Sequence, residues 1–185
     1  DAGMFTCRDP YGEDATAVFN MLSGYSEPAR WNRLLVAPIW MKKRFLHLIR
    51  RETENAKAGK EARIIAKCNS LCDKKIILAL YEASAAGVQI DLIIRGICWL
   101  IPGVPGLSEN IRVRSLVGSF LEHARIFSFY NDGHEELYMG SADWMPRNLD
   151  RRVEIVFPVE DETLKNKVRH ILKLQLADTI KAHCM

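Results

Sequence analysis

The sequence predicts an α/β fold: a single domain built on a mixed β-sheet flanked by helices. Three observations predict it. Between residues 33 and 94, short runs of β-branched and aliphatic residues alternate with amphipathic helical patterns, the signature of parallel strands joined by crossover helices. Between 125 and 157, strand-like runs follow one another through Asn131-Asp132-Gly133, a turn signal that joins antiparallel neighbours. From about 161 to 181 the apolar residues return to helical spacing, so a last helix closes the chain.

Taken in order, residues 1–32 are loop-rich. Asp9-Pro10-Tyr11-Gly12 reads as a turn, and Ala15, Val18, Phe19 and Leu22 recur at helical spacing until Gly24 stops the pattern. Too short to build a core, this stretch reads as the tail of a preceding domain. Leu34, Leu35 and Val36 form a short buried strand closed by Pro38, and a helix over about 39–56 places Met41, Phe45, Leu48 and Ile49 on one face. Residues 62–67 form the next strand. Asp73 caps a helix carrying Ile76, Ile77, Leu80 and Tyr81, which Gly87 ends. The third strand covers 88–94. Ile101-Pro102-Gly103-Val104-Pro105-Gly106 can be neither helix nor central strand, and reads as an ordered loop or lid. Strands are expected over 125–130, 137–140 and 152–157. The last helix, 161–181, should bury Leu164, Val168, Ile171, Leu172, Leu176 and Ile180.

Composition narrows the class. With 48% hydrophobic residues, the 185-residue chain has enough apolar material to offset the entropy of ordering one domain. No run approaches the roughly 18 apolar residues that a membrane-spanning helix needs. The first residues carry neither a basic n-region nor an initiator Met, so no signal peptide is expected and the start looks like a piece of something longer. The five cysteines (Cys7, Cys68, Cys72, Cys98, Cys184) are odd in number and scattered, which suits reduced thiols in the cytoplasm rather than a disulfide framework. Cys68 and Cys72 have zinc-ligand spacing, but no second pair matches them, so no metal site is expected. A formal charge of +3 is too small to announce a nucleic-acid binder, and no nucleic-acid partner is expected.

Function is sought where strands end, because open α/β sheets bind ligands at their carboxyl edge. The third strand empties into Arg95-Gly96, a forked permanent cation beside a residue that permits close approach. The second ends in Lys67-Cys68-Asn69-Ser70. His123 stands at the mouth of a later strand with Arg125 two residues on, so an extended segment puts both on one face, where they could address one anion. Across the hairpin, Ser141 could hydrogen-bond a phosphate oxygen and Asp143 could orient an imidazole. Arg112, Arg114, Arg147, Arg151 and Arg152 add cations in the same half, so a near-neutral total can conceal a positive cleft for a polyanion, phosphate above all. His47 and His170 fall within helices, and His134 falls in a turn. The absence of a Walker loop, a His-Glu-X-X-His pair and a Gly-X-Ser-X-Gly elbow disfavours a P-loop kinase, a zinc protease and an α/β-hydrolase.

These same residues carry a resemblance. His123-X-Arg125, then Gly140-Ser141-Ala142-Asp143 and a downstream Glu154, is similar to half of a phospholipase D-like site, His-X-Lys followed by Gly-Ser-X-Asn and an acidic residue. Here Arg replaces Lys, Asp replaces Asn, and the two blocks stand further apart. A closer match accounts for all three departures. The runs Ile94-Arg95-Gly96-Ile97-Cys98, Pro102 to Ser115, Phe120-Leu121-Glu122-His123-Ala124-Arg125 and Gly140 to Glu154 resemble the C-terminal part of bacterial polyphosphate kinases, as do Ala56 to Lys60 and Ile65 to Leu71.

The resemblance implies a phospholipase D-like mixed sheet over 33–185, with 1–32 the tail of a preceding domain of the same kind. It implies reversible transfer of the ATP γ-phosphate to inorganic polyphosphate, with Mg²⁺ accompanying ATP or ADP, through a phosphohistidine upstream of these residues. His123 is the implied catalytic residue, and Arg95 and His123 the groups at ATP and the phosphoryl site. Lys67, Arg112, Arg114, Arg125 and Arg147 are expected to line the polyphosphate path, with Ser141 and Asp143 beside it. The resemblance also implies a homo-oligomeric, cytoplasmic whole protein, with or without peripheral membrane association, and catalytic silence of these 185 residues alone. The competing expectations are a phospholipase D-type phosphodiesterase half-site and a non-enzymatic polyanion-binding module.

Overall fold

The computed structural model describes residues 1–26, 28–118, 120–180 and 182–184. A short edge strand β1 (Leu35–Val36) is followed by α2 (Met41–Lys57), β2 (Arg63–Cys68), α3 (Lys74–Ala85), β3 (Gln89–Ile94), β4 (Ile111–Leu116), β5 (Arg125–Phe129), β6 (Glu136–Gly140), α4 (Pro146–Asp150), β7 (Ile155–Pro158), α5 (Glu162–Ala177) and β8 (Ala182–Cys184), with α1 (Asp9–Leu22) preceding them all. The strands make one sheet in the order β1-β7-β6-β5-β2-β3-β4-β8. β2, β3 and β4 are parallel to one another and the remaining pairings are antiparallel, so the sheet is mixed, as the sequence predicts.

Strand alternation divides the core in two. Ile64, Ala66, Ile90, Leu92, Phe127 and Phe129 face α2 and α3, and meet Met41, Phe45, Leu48, Ile49, Ile76 and Leu80 in the larger cluster. The opposite face presents Ile93, Ile126, Leu137 and Met139 to Val168 and Leu172 of α5. Asp73 caps α3 by accepting from the Lys75 and Ile76 backbone N–H groups, and Gly87 follows that helix at φ +100°. The hairpin turn places Asn131, Asp132 and Gly133 all at positive φ, a backbone that Asn, Asp and Gly tolerate best.

Several expectations need correcting. Asp9-Pro10-Tyr11-Gly12 is the first turn of α1, where proline's missing N–H has no intrahelical partner to lose. The buried face of α1 is Tyr11, Asp14 and Val18, whereas Phe19 and Leu22 are exposed. Strand β4 and helix α4 were not anticipated, and β7 starts at Ile155 rather than 152. Helix α5 stops at Ala177, because the chain turns back and pairs β8 with β4; Ile180 lies beyond the helix and is exposed, and Ile171 is exposed within it. Lys181, the expected end of that helix, lies outside the described residues.

The N-terminal segment is tied to the sheet's β7 edge. Buried Asp14 accepts from the backbone N–H groups of Asn32, Arg33 and Leu34 at 2.7–3.1 Å, and the Tyr11 hydroxyl donates to the Pro158 carbonyl at 2.9 Å. No helix of the described residues is long and apolar enough to cross a membrane.

Candidate functional site

The loops that leave β2 and β3 are joined to each other and to the loop after β6. Gly96 N–H donates to Asn69 O at 2.8 Å, Leu71 N–H to Ile97 O at 2.8 Å, and Cys72 and Asp73 N–H both to Trp144 O at 3.0 Å. A Cβ on Gly96 would come within 3.1 Å of the Asn69 carbonyl, which explains a glycine beside Arg95. Trp144 is fully buried, stacked on Phe127 at 5.0 Å and edge-on to Phe45 at 5.5 Å, so the residue before it, Asp143, is fixed by aromatic packing.

Asp143 is the hub of the site. Its Oδ1 accepts from the Asn69 backbone at 2.8 Å, from Asn69 Nδ2 at 3.1 Å and from Arg125 Nε at 3.1 Å. Arg125 is thereby aimed at His123, with its terminal nitrogen 2.9 Å from His123 Nδ1 and 3.2 Å from the His123 carbonyl. A guanidinium only donates, so Nδ1 accepts in this contact, which goes with the Nε2–H tautomer of the neutral ring, whereas the contact with Asp1 goes with the other. Burial and the nearby Arg125 and Arg95 cations all hold the His123 pKa below its ordinary value, against a weaker opposite pull from Asp143. The ring is about a third exposed, and the Asp1 carboxylate stands 3.2 Å from the same Nδ1. His123 and Arg125 are thus in direct contact, and Asp143 touches Arg125 rather than the imidazole.

Arg95 follows β3 at the same edge. Its backbone is fixed, N–H to Cys68 O at 3.3 Å and carbonyl from Ser115 Oγ at 3.2 Å, while its guanidinium has no partner among the described residues. Beside Arg125, an open cleft of about 560 Å³ runs between Val18 and Leu22 of α1 and the end of β6 at Gly140 and Ser141. The structure brings Arg95, His123, Arg125, Ser141 and Asp143 to one edge of the sheet.

The other expected residues are placed differently. Ser141 donates its hydroxyl proton to Glu154 and accepts from Ile155 N–H at 3.2 Å, so its hydrogen-bonding capacity is committed to the fold. Lys67 is only 2% exposed and donates to two backbone carbonyls. Arg112 pairs with Asp91 at 2.9 and 3.3 Å, a carboxylate it shares with Arg63 on the α5 face. Arg114 donates to the Leu176 carbonyl at the end of α5. Arg147 lies exposed on α4 with its side chain unpaired among the described residues. Sequence reasoning missed the function of Asn69 as the group that fixes Asp143. Its signal was a polar amide directly after a buried strand at the sheet's carboxyl edge.

The carboxylates of this region do not assemble a metal centre. Glu154 accepts from Ser141 and from Asn148 Nδ2, Asp143 is occupied as described, and no group of three or more His, Cys, Asp or Glu among the described residues could hold an ion. Of the described cysteines, Cys68 and Cys72 are buried and unpaired, and burial pushes the Cys68 thiol up to about 12. That suits packing rather than reactivity.

Comparison with known proteins bears on this geometry. The sequence model of the family described as polyphosphate kinase C-terminal domain 2 matches residues 34–185. Over 182 residues the chain is 54% identical to a polyphosphate kinase of Thermosynechococcus vestitus and 56% identical to one of Synechocystis sp., in each case 98% of this chain. It spans about a quarter of the length of these curated relatives, 25% of each. A crystal structure of polyphosphate kinase from Porphyromonas gingivalis superposes with a TM-score of 0.93 at 49% identity, covering 97% of this chain and 28% of that one. A phospholipase D family member, Nuc from Salmonella typhimurium, superposes with a TM-score of 0.59 at 12% identity over 83% of this chain and 96% of its own, a likeness of fold alone.

Proposed function

This chain belongs to the polyphosphate kinase C-terminal domain 2 family, and from that membership we propose that it forms one wall of the phosphoryl-transfer site of a longer polyphosphate kinase. The reaction is reversible transfer of the ATP γ-phosphate to inorganic polyphosphate, through a phosphohistidine carried upstream of these residues. The observation that supports it most directly is the presence, at one sheet edge, of an unpartnered Arg95 and a His123 that burial and two arginines hold in its neutral form. The polypeptide works in the cytoplasm as a homo-oligomer, and residues 1–32 belong to the tail of the preceding domain.

The chemistry follows from charge. A phosphoryl group in flight spreads negative charge over three oxygens, and catalysis consists mostly of positioning and neutralising it. Arg95 can bind two of those oxygens with its fork. His123 donates from Nε2 to a third, held in that tautomer by Arg125 and, behind it, by Asp143 and Asn69. Arg147 extends the positive path outward for the polymer, while Arg125 stays engaged on Asp143 and His123. Mg²⁺ enters as the partner of ATP or ADP, and the carboxylates here do not fit a resident ion.

The test is ATP formation from polyphosphate and Mg-ADP by the longer polypeptide, with and without His123→Ala. The substitution is expected to lower the rate by about 10²–10³, the range for losing a preorganised hydrogen-bond donor to developing negative charge. An equally active His123→Ala enzyme would remove His123 from the mechanism. A parent that makes no ATP but cleaves a phosphodiester would return the phospholipase D-type reading.

A further inference from the structure

The segment that carries His123 has no strand to hold it. β5 begins at Arg125, and its last registered partner on β2 is the pair Lys67–Ile126, so residues 122–124 project beyond the ladder with their carbonyls unclaimed by a neighbouring strand. Those three carbonyls are claimed by side chains instead. Lys67 Nζ donates to Glu122 O at 3.3 Å and to Ala124 O at 3.0 Å, while Arg125 donates to the His123 carbonyl between them at 3.2 Å. The alternation fits an extended segment, in which carbonyls two residues apart point the same way. One buried ammonium thus holds the carbonyls on both sides of the histidine.

Lys67 is built for this fixed position. It is 2% exposed, on the sheet face that Ile93 and Ile126 share with α5, and its only carboxylate neighbour among the described residues, Glu122 Oε2, is loosely placed at 3.8 Å and itself bonded to Gln175 of α5 at 3.0 Å. A cation engaged on two carbonyls and covered by its own core cannot follow a moving polyphosphate chain. We infer that Lys67 is a positioning residue for His123, acting on the reaction through the 122–124 backbone rather than by touching substrate. The inference rests on the proposed role of His123.

The experiment uses the longer polypeptide, assayed for ATP formation from polyphosphate and Mg-ADP. Lys67→Met keeps the stem and removes the donors, and Lys67→Gln restores two neutral N–H donors. Misplacing a catalytic group by about an ångström costs on the order of a hundredfold. Lys67→Met should therefore lower kcat by about 10–100-fold while KM for polyphosphate stays within about twofold, and Lys67→Gln should recover part of that loss. In a His123→Ala background, Lys67→Met should cost nothing further, because the histidine it positions is gone. If Lys67→Met does not fold, the same comparison is made with Lys67→Gln, whose kcat should fall by a smaller factor at unchanged KM. A rise in KM with kcat retained, or full additivity with His123→Ala, would make Lys67 a substrate ligand and overturn the inference. So would an unchanged kcat in an active parent. A parent that makes no ATP overturns the functional reading, and this inference with it.

Discussion

His123 gives the site its pH behaviour. Partial burial and two guanidinium neighbours favour the neutral ring, so its folded pKa lies below the ordinary 6.5. The sign follows from linkage: between the depressed folded value and 6.5 the unfolded chain binds more protons than the folded one. Stability therefore rises with pH across that window and is fully present above it, and acidification below 6.5 takes it away. The same deprotonation frees Nδ1 to accept from Arg125. Following the His123 ring protons by NMR in the whole chain should give a midpoint below 6.5, and Arg125→Met should move it upward by removing the nearest cation. A midpoint above 6.5 in the parent would mean that the Asp1 and Asp143 carboxylates outweigh the arginines. Much of this site is legible in the sequence, because His123, Arg125, Asp143 and Arg95 all stand where strands end. What the sequence does not show is commitment: Lys67 and Ser141 carry the right chemistry, but only the burial of Lys67 and the bonds of the two side chains to Glu122, Ala124 and Glu154 reveal that it is spent on the fold.

The elements that position the site depend on close strand approach as much as on hydrogen bonds. Gly140 pairs with Arg125 on one side and Val156 on the other, and a Cβ there would overlap the Ile155 carbonyl and lie 2.7 Å from Val156 Cα. Gly140→Ala should push β6 from β7, weaken the Ser141–Glu154 link, and cost about 1–3 kcal/mol, the usual price of overpacking. Thermal unfolding of the chain measures it, and an unchanged midpoint would show that the sheet yields there freely. Periodicity located α2 and α3 well because their apolar stripes are unbroken and Asp73 and Gly87 punctuate them. It lost β4 although Ile111, Val113 and Leu116 point inward, because Arg112 and Arg114 follow a Pro/Gly loop and look like surface cations. It also lost β8, since only tertiary pairing with β4 decides that the chain stops being helical after Ala177.

Across the whole molecule, a formal charge of +3 hides an uneven distribution. Away from the site edge, seven arginines are matched: Arg63 and Arg112 share Asp91, Arg44 and Arg51 share Glu136, Arg8 and Arg33 share Glu160, and Arg169 pairs with Glu135, while Arg30, Arg50 and Arg114 have no carboxylate partner among the described residues. At the carboxyl edge, Arg95, Arg147, Arg151, Arg152, Lys74 and Lys75 have no carboxylate partner among the described residues. Unmatched cations raise the local positive potential, and they are the ones a polyanion can neutralise without first breaking an ion pair. Two arginines on one sheet then separate binding from folding. In the longer polypeptide, Arg95→Ala should raise KM for the phosphate substrates by roughly 10–100-fold, the worth of charged hydrogen bonds of about 1.5–3 kcal/mol, and make KM less sensitive to salt. Arg112→Ala should leave KM and its salt dependence in place, because that guanidinium already belongs to Asp91, and should act on thermal stability instead. Equal losses of binding from both substitutions would carry the polyphosphate path across the α5 face, and the asymmetry of charge would then have no part in choosing the substrate.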